Sequence, residues 1–222
     1  MLQRLDPSRY GAVSRLYERQ HWYFPLVGAV LERTQDGAVF ADNAASPKCA
    51  FVQHKFGFAQ MFGALNCDAE TWLERHTLID RAFDGPKLRL YAPIVPGLLQ
   101  RRDAEPFRSE RQRFQLPAAP PRPPVLPREI ACFNADSANI AAIDQTFGVV
   151  TRFWRTAEDF IAHSSCVLIA RDGTPAALCY GAAVAGGRAE IDVLTLPEHR
   201  NLGLGRTAVE AFNARCASAG IA

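Results

Sequence analysis

Three apolar runs near the C-terminal end, CVLIA, PAALCYGAAVA and AEIDVLTL, constrain the fold of this chain more than any other feature. Arg171-Asp172-Gly173-Thr174 separates the first two, and Gly186-Gly187 the second two. Connections this short cannot hold the crossover that a parallel strand pair requires. Asp-Gly and Gly-Gly accept the positive φ that tight hairpins demand. The pattern therefore predicts an antiparallel three-stranded meander. A helix follows at once, with Ala208, Val209, Phe212 and Cys216 forming one apolar stripe while Glu210 and Arg215 face outward. Gly220-Ile221 has the form of a helix stop with its hydrophobic contact.

The turn between the last strand and this helix, RNLGLGRT, has an unusual charge distribution. A helix start leaves amide N–H groups without intrahelical partners, and they carry the positive end of the dipole. Acidic or hydroxyl residues ordinarily cap that end, yet here His199, Arg200 and Arg206 gather around it. Gly203 and Gly205 allow close approach to the main chain. Such a place suits a phosphate. The competing reading is an exposed strand-to-helix turn with incidental arginines. A dinucleotide-binding fingerprint is excluded because the preceding strands form a meander and not a parallel βαβ unit. A Walker loop is excluded because no Gly-Lys-Ser/Thr follows.

Upstream, LPAAPPRPPVLP cannot support a helix or a central strand and favours extended chain. It divides the sequence into an N-terminal α/β region, 1–116, a Pro-rich linker, 117–127, and a C-terminal domain, 128–222. In the first part SRYGAVSRLYERQ has helical spacing. LVGAVLERTQDGAVFADN reads as two strands around a turn at Asp36-Gly37. AFVQHKFGFAQMF reads as a strand, DAETWLERHTLIDRAF as a helix, and KLRLYAP and RQRFQL as strands. After the linker, REIACFNADSANIAAIDQTFG reads as a helix. In RTAEDFIAHSS, Thr156 with Asp159 three residues on opens another helix by a capping pattern.

A net charge of +2, with 22% charged residues, gives no broad basic surface for nucleic acid. The N-terminus lacks the apolar stretch of a signal peptide. The longest uncharged run, 173–187, is 15 residues, short of the roughly 18 that a membrane span needs. Six cysteines without a Cys-x-x-Cys pair predict buried free thiols in a reducing cytoplasm, and no metal site. Trp22, Tyr23, Phe24, Phe51, Phe56, Phe58 and Phe62 either line an acceptor pocket or form core.

Arg200-Asn201-Leu202-Gly203-Leu204-Gly205 after a strand and before a helix resembles the central motif of the GNAT superfamily of acyl-CoA N-acyltransferases. The order of elements from about Arg128 agrees with that resemblance, which is nearest to a branch carrying an extra N-terminal region. It implies a mixed, mostly antiparallel sheet flanked by helices, with acetyl-CoA as co-substrate and no metal. It also implies that backbone amides from Arg200 through Asn201, Leu202, Gly203, Leu204 and Gly205 to Arg206 hold the pyrophosphate of coenzyme A. Leu194 and Thr195 would then meet the pantetheine arm, an amide near Leu194 polarising the thioester carbonyl.

The chemistry needs a base to take a proton from an alkylammonium. Glu190 and Asp192, two apart on a strand, project from one face, and the resemblance implies that an acidic residue there serves, Glu190 having the longer reach. The alternative is that both form a solvated strand face. The expected acceptor is a small-molecule or peptide amine. The rival function is a non-catalytic acyl-CoA binder or scaffold. The family's later strands and helix do not follow Ala222, which leaves a sheet edge to be completed. An N-terminal strand such as AFVQHKFGFAQMF is expected to cover it, the alternatives being a shortened chain or a homodimer.

Overall fold

The structure is a computed structural model that describes residues 1–20, 22–92, 97, 110–115 and 121–221. Its contacts divide the chain into two compact units, Met1–Arg113 and Phe114–Ala222.

The N-terminal unit holds a sheet in the order β1-β2-β3-β4-β5, formed by Gln3–Arg4, Gly37–Ala41, Cys49–His54, Phe58–Gly63 and Arg89–Tyr91. All pairs are antiparallel except β4 with β5. Helices α1, Tyr10–Glu18, and α2, Pro25–Leu31, precede β2, and α3, Cys67–Glu74, runs into a π-helical turn at Arg75–Ile79. The α1 assignment agrees with the sequence, and Tyr10, Val13 and Tyr17 form its buried side.

Four readings are corrected here. The run Pro25–Leu31 is helical, because all seven of its residues are buried and no period distinguished helix from strand. Gly37 begins β2 and is not a hairpin turn; a Cβ there would collide with the Gln53 carbonyl oxygen and the Val30 side chain. AFVQHKFGFAQMF is two strands, turning at Lys55-Phe56-Gly57, where Gly57 has φ 78°. RQRFQL is not a strand over its described residues, 111–115. Phe24, Phe51 and Phe62 are core, whereas Trp22 and Phe56 are exposed.

The C-terminal unit holds a four-stranded antiparallel sheet in the order β6-β7-β8-β9: Ile130–Asn134, Val167–Arg171, Thr174–Ala185 and Arg188–Thr195. Asp172 and Gly173 have φ 49° and 79°, and Gly186 and Gly187 φ 55° and 66°. Both are the left-handed pairs of tight hairpins, as the meander requires. The stretch read as one helix is instead strand β6 followed by α4, Ile140–Phe147. Short helix α5, Val150–Phe153, and α6, Ala157–His163, complete the crossover to β7. Thr156 caps α6, its hydroxyl accepting from the Asp159 amide at 3.1 Å.

The sheet has two covered faces. Helix α7, Leu204–Ser218, lays Leu204, Ala208, Phe212 and Cys216 against Val167, Ile169, Ala177 and Cys179. It stops as the sequence predicts: Gly220 has φ 70°, the Ile221 amide bonds the Cys216 carbonyl at 2.9 Å, and Ile221 packs on the core. On the opposite face Phe160 meets Tyr180 with ring centroids 5.5 Å apart, and Trp154 Nε1 donates to the Gly181 carbonyl at 3.1 Å.

Among the described residues β9 pairs only with β8. In the N-terminal sheet β3 is paired with β2 and β4, and β4 with β3 and β5, so neither strand of AFVQHKFGFAQMF has an edge to offer. The linker prediction falls partly on 116–120, outside the described residues. All six cysteines are free; Cys49, Cys166, Cys179 and Cys216 are buried, but Cys67 and Cys132 are exposed, contrary to expectation. No described helix is long and apolar enough to cross a membrane.

Candidate active site

Strand β9 ends at Thr195, a 3₁₀ turn spans Pro197–His199, and the chain then makes the bend that opens α7. Arg200 is extended, Asn201 is left-handed at φ 62°, and Gly203 has φ 76° and ψ 0°. That backbone shape favours glycine. A Cβ on Gly203 would meet nothing within 4 Å, so the space above it is open.

The amides between Arg200 and Thr207 are unclaimed among the described residues. No side chain caps α7 and its first turn has no acidic residue. The Arg200 amide, expected to join the phosphate-binding run, instead bonds the Pro197 carbonyl at 3.3 Å, and the Thr207 amide bonds the Gly203 carbonyl at 3.0 Å. Among the described residues, the amides of Asn201, Leu202, Gly203, Leu204, Gly205 and Arg206 have no acceptor in the protein. They sit at the positive end of a 15-residue helix. Concentrated unpaired donors at such a place fit a diphosphate.

The arginines that drew attention in the sequence are partly answered by the protein itself. Arg206 Nε lies 2.8 Å from Glu210 Oε1, one turn along α7, and Arg200 Nε donates to the Thr195 carbonyl at 3.4 Å. The anion argument therefore rests on the backbone donors more than on these cations. His199 contributes a buried Nδ1 with no hydrogen-bond partner among the described residues.

Leu194 and Thr195 stand opposite Leu178 and Ala177. The Leu196 amide bonds the Ala176 carbonyl at 3.0 Å, which fixes the antiparallel alternation. By that alternation the Leu194 amide points into the sheet, and those of Val193 and Thr195 face the open edge. The Leu194 amide, expected to polarise the thioester carbonyl, is thus turned toward β8.

Glu190 and Asp192 share one face of β9 as predicted, and both are half-buried. Asp192 stands in register with Tyr180 and accepts its hydroxyl proton at 2.8 Å through Oδ2. Arg152 Nη1 of α5 lies 3.9 Å from the same oxygen. Burial first, and then the Asp192 carboxylate, hold the Tyr180 hydroxyl above the ordinary phenol range, so it remains a donor. Glu190 stands opposite Ala183, just past a bulge in β8 between Gly181 and Ala183. Tyr180 and Arg152 were not singled out in the sequence. Tyr180 is hidden in an apolar run, and Arg152 lies in a short helix remote along the chain. No cluster of three or more His, Cys, Asp or Glu side chains able to hold a metal occurs among the described residues.

The antiparallel sheet, the bend and α7 give the C-terminal unit a GNAT-like fold. A family model described as GNAT acetyltransferase matches residues 126–222, the greater part of the C-terminal unit. It is 23% identical over 236 residues to an uncharacterized N-acetyltransferase of Bacillus subtilis strain 168, YdfB, spanning 100% of this chain and 86% of that relative. Two solved structures share the fold. One is a GCN5-related N-acetyltransferase-like protein from Streptococcus suis 89/1591, with TM-score 0.58, 18% identity, and 96% of this chain and 86% of that one covered. The other is a GCN5-related N-acetyltransferase from Sphaerobacter thermophilus, with TM-score 0.53, 13% identity, and 100% and 84% covered.

Proposed function

We propose that the chain is an N-acetyltransferase that moves an acetyl group from acetyl-CoA to a primary amine by direct attack, acting on a small-molecule or peptide acceptor. The observation that carries this reading is the run of unclaimed amides from Asn201 to Arg206 beneath the open space at Gly203. Those amides would hold the diphosphate of acetyl-CoA. The edge-facing amides of Val193 and Thr195 would orient the thioester and favour charge developing on its carbonyl oxygen. Glu190 and Asp192 supply carboxylates on the sheet face that carries α5 and α6, where an alkylammonium would lose its proton.

Two measurements test the reading separately. Calorimetric titration with acetyl-CoA is expected to show saturable binding, and thiol release is expected with at least one member of a panel of primary amines. Binding without release for any amine would favour a non-catalytic acyl-CoA binder, and absence of binding would remove both readings.

A further inference from the structure

Resting on the acetyl-transfer reading, we propose that the acceptor is an α-amino acid, its carboxylate bound by Arg152 while its ammonium lies toward Asp192. Arg152 is thereby the residue that selects the acceptor.

Arg152 is held in place by its own short helix. Val150 and Phe153 of α5 are buried. Trp154, the next residue, is buried too and donates through Nε1 to the Gly181 carbonyl at 3.1 Å. Gly181 follows Tyr180 on β8, and Tyr180 stands in register with Asp192 on β9. The backbone at Arg152 is therefore fixed beside the strand pair that carries Asp192. The Tyr180 hydroxyl, 2.8 Å from Asp192 Oδ2, fixes the carboxylate in turn. The distance between the two charges is set by the fold before any ligand arrives.

That distance points to a zwitterion. Arg152 Nη1 stands 3.9 Å from Asp192 Oδ2, too far for a hydrogen bond between those atoms. The two side chains keep 40% and 36% of their surface exposed. An ion pair this open adds little to stability, and the buried Phe153 and Trp154 already fasten α5 to the sheet. In an α-amino acid the ammonium nitrogen and a carboxylate oxygen are roughly 3 Å apart. Laid antiparallel to the Arg152–Asp192 pair, such a molecule sets each of its charges beside the opposite one. A guanidinium also presents its donors in a planar fork that a carboxylate takes two at a time.

Other acceptors fit less well. A polyamine would bring a second ammonium to a place where Arg152 is already a cation. A carboxamide keeps the amine but offers Arg152 a neutral group, and hydrogen bonds between charged groups are the stronger kind. Arg188 shares this face of β9 by strand alternation, but it lies at the hairpin end, opposite Ala185 and four residues from Asp192. The competing account is that Arg152 only supports the local structure.

The test uses the full chain with acetyl-CoA and follows thiol release. The acceptors are the protein amino acids, each beside its carboxamide, together with spermidine and tyramine. At least one amino acid is expected to exceed its carboxamide in kcat/KM by about tenfold or more, and to exceed both plain amines. R152Q is expected to cut that acid-over-amide ratio by about tenfold, chiefly through KM. R152K should cut it less, since it keeps the charge but not the fork, and R188Q should leave the ratio as in wild type.

A carboxamide or plain amine preferred over every amino acid overturns the proposal and leaves the transfer reading standing. An R152Q that slows acids and amides equally does the same, because a purely structural role would act on both. A larger change of the ratio in R188Q than in R152Q also overturns it. Thiol release with no amine at all removes the transfer reading, and this proposal with it.

Discussion

Gly205 lies against Thr195 so closely that a Cβ on the glycine would stand 2.9 Å from the threonine Oγ1. The first turn of α7 therefore passes directly over the end of β9, and the glycine is there because no side chain fits between them. The two glycines of the motif differ in their physical reason. Gly205 is set by contact, Gly203 by its backbone angle and the open space above it.

That difference separates two substitutions. Gly205→Val forces atoms into a packed contact and is expected to destabilise the C-terminal unit by about 2 kcal/mol, as overpacking commonly does. Thr195→Ala in the same chain should restore part of the loss, because it removes the atom that is struck. Chemical denaturation of the single and double variants measures both effects. Equal stability of the two would show that the crowding is relieved elsewhere.

Gly203→Val acts on the backbone instead. Holding a β-branched residue at φ 76° costs on the order of 1–2 kcal/mol, and its side chain would enter the open space over the amides. The expected outcome is acetyl-CoA binding weakened by about tenfold or more, since a loss of about 1.4 kcal/mol suffices for that. Far-ultraviolet circular dichroism should remain close to wild type. Titration calorimetry checks the affinity; an unchanged Kd would detach the bend from coenzyme binding.

The parts of this molecule that the sequence disclosed are those whose cause is local. Asp172-Gly173 and Gly186-Gly187 fix their hairpins by backbone angle alone, Gly220 ends α7 for the same reason, and Thr156 caps a helix within its own turn. Pro25–Leu31 was not legible because burial on every side erases periodicity. Strand β6 was hidden by the helix that follows it closely, the two together resembling one amphipathic stretch. In the site, the bend and the shared face of Glu190 and Asp192 could be read directly. The Tyr180–Asp192 bond could not, since it depends on the register of two strands and on the bulge that shifts it.

The Thr156 cap offers a stability prediction free of function. Thr156→Ala removes the acceptor for the Asp159 amide and should cost about 1 kcal/mol. Thr156→Ser keeps the oxygen and should cost less. Urea denaturation of the three proteins checks the order, and an alanine variant as stable as wild type would mean that water serves the amide equally well.

In the N-terminal unit His54 should make stability depend on pH. It is fully buried; the Phe56 amide donates to its Nδ1 at 3.0 Å, so its Nε2–H is the donor to Gln35 Oε1 at 3.0 Å. Burial, and secondarily Lys55, lower its pKa from 6.5 to about 4. The unfolded chain therefore binds a proton between those values that the folded chain refuses. Stability from this group is fully present above pH 6.5 and declines as pH falls toward 4, where protonating Nδ1 would also break the Phe56 bond. The whole decline amounts to about 3 kcal/mol at one pKa unit per 1.36 kcal/mol. His54→Gln, which does not titrate, is expected to flatten the slope of unfolding free energy between pH 4 and pH 6.5 while lowering stability at pH 7. Denaturation curves across that range measure it, and parallel slopes in the two proteins would show that some other group controls acid sensitivity.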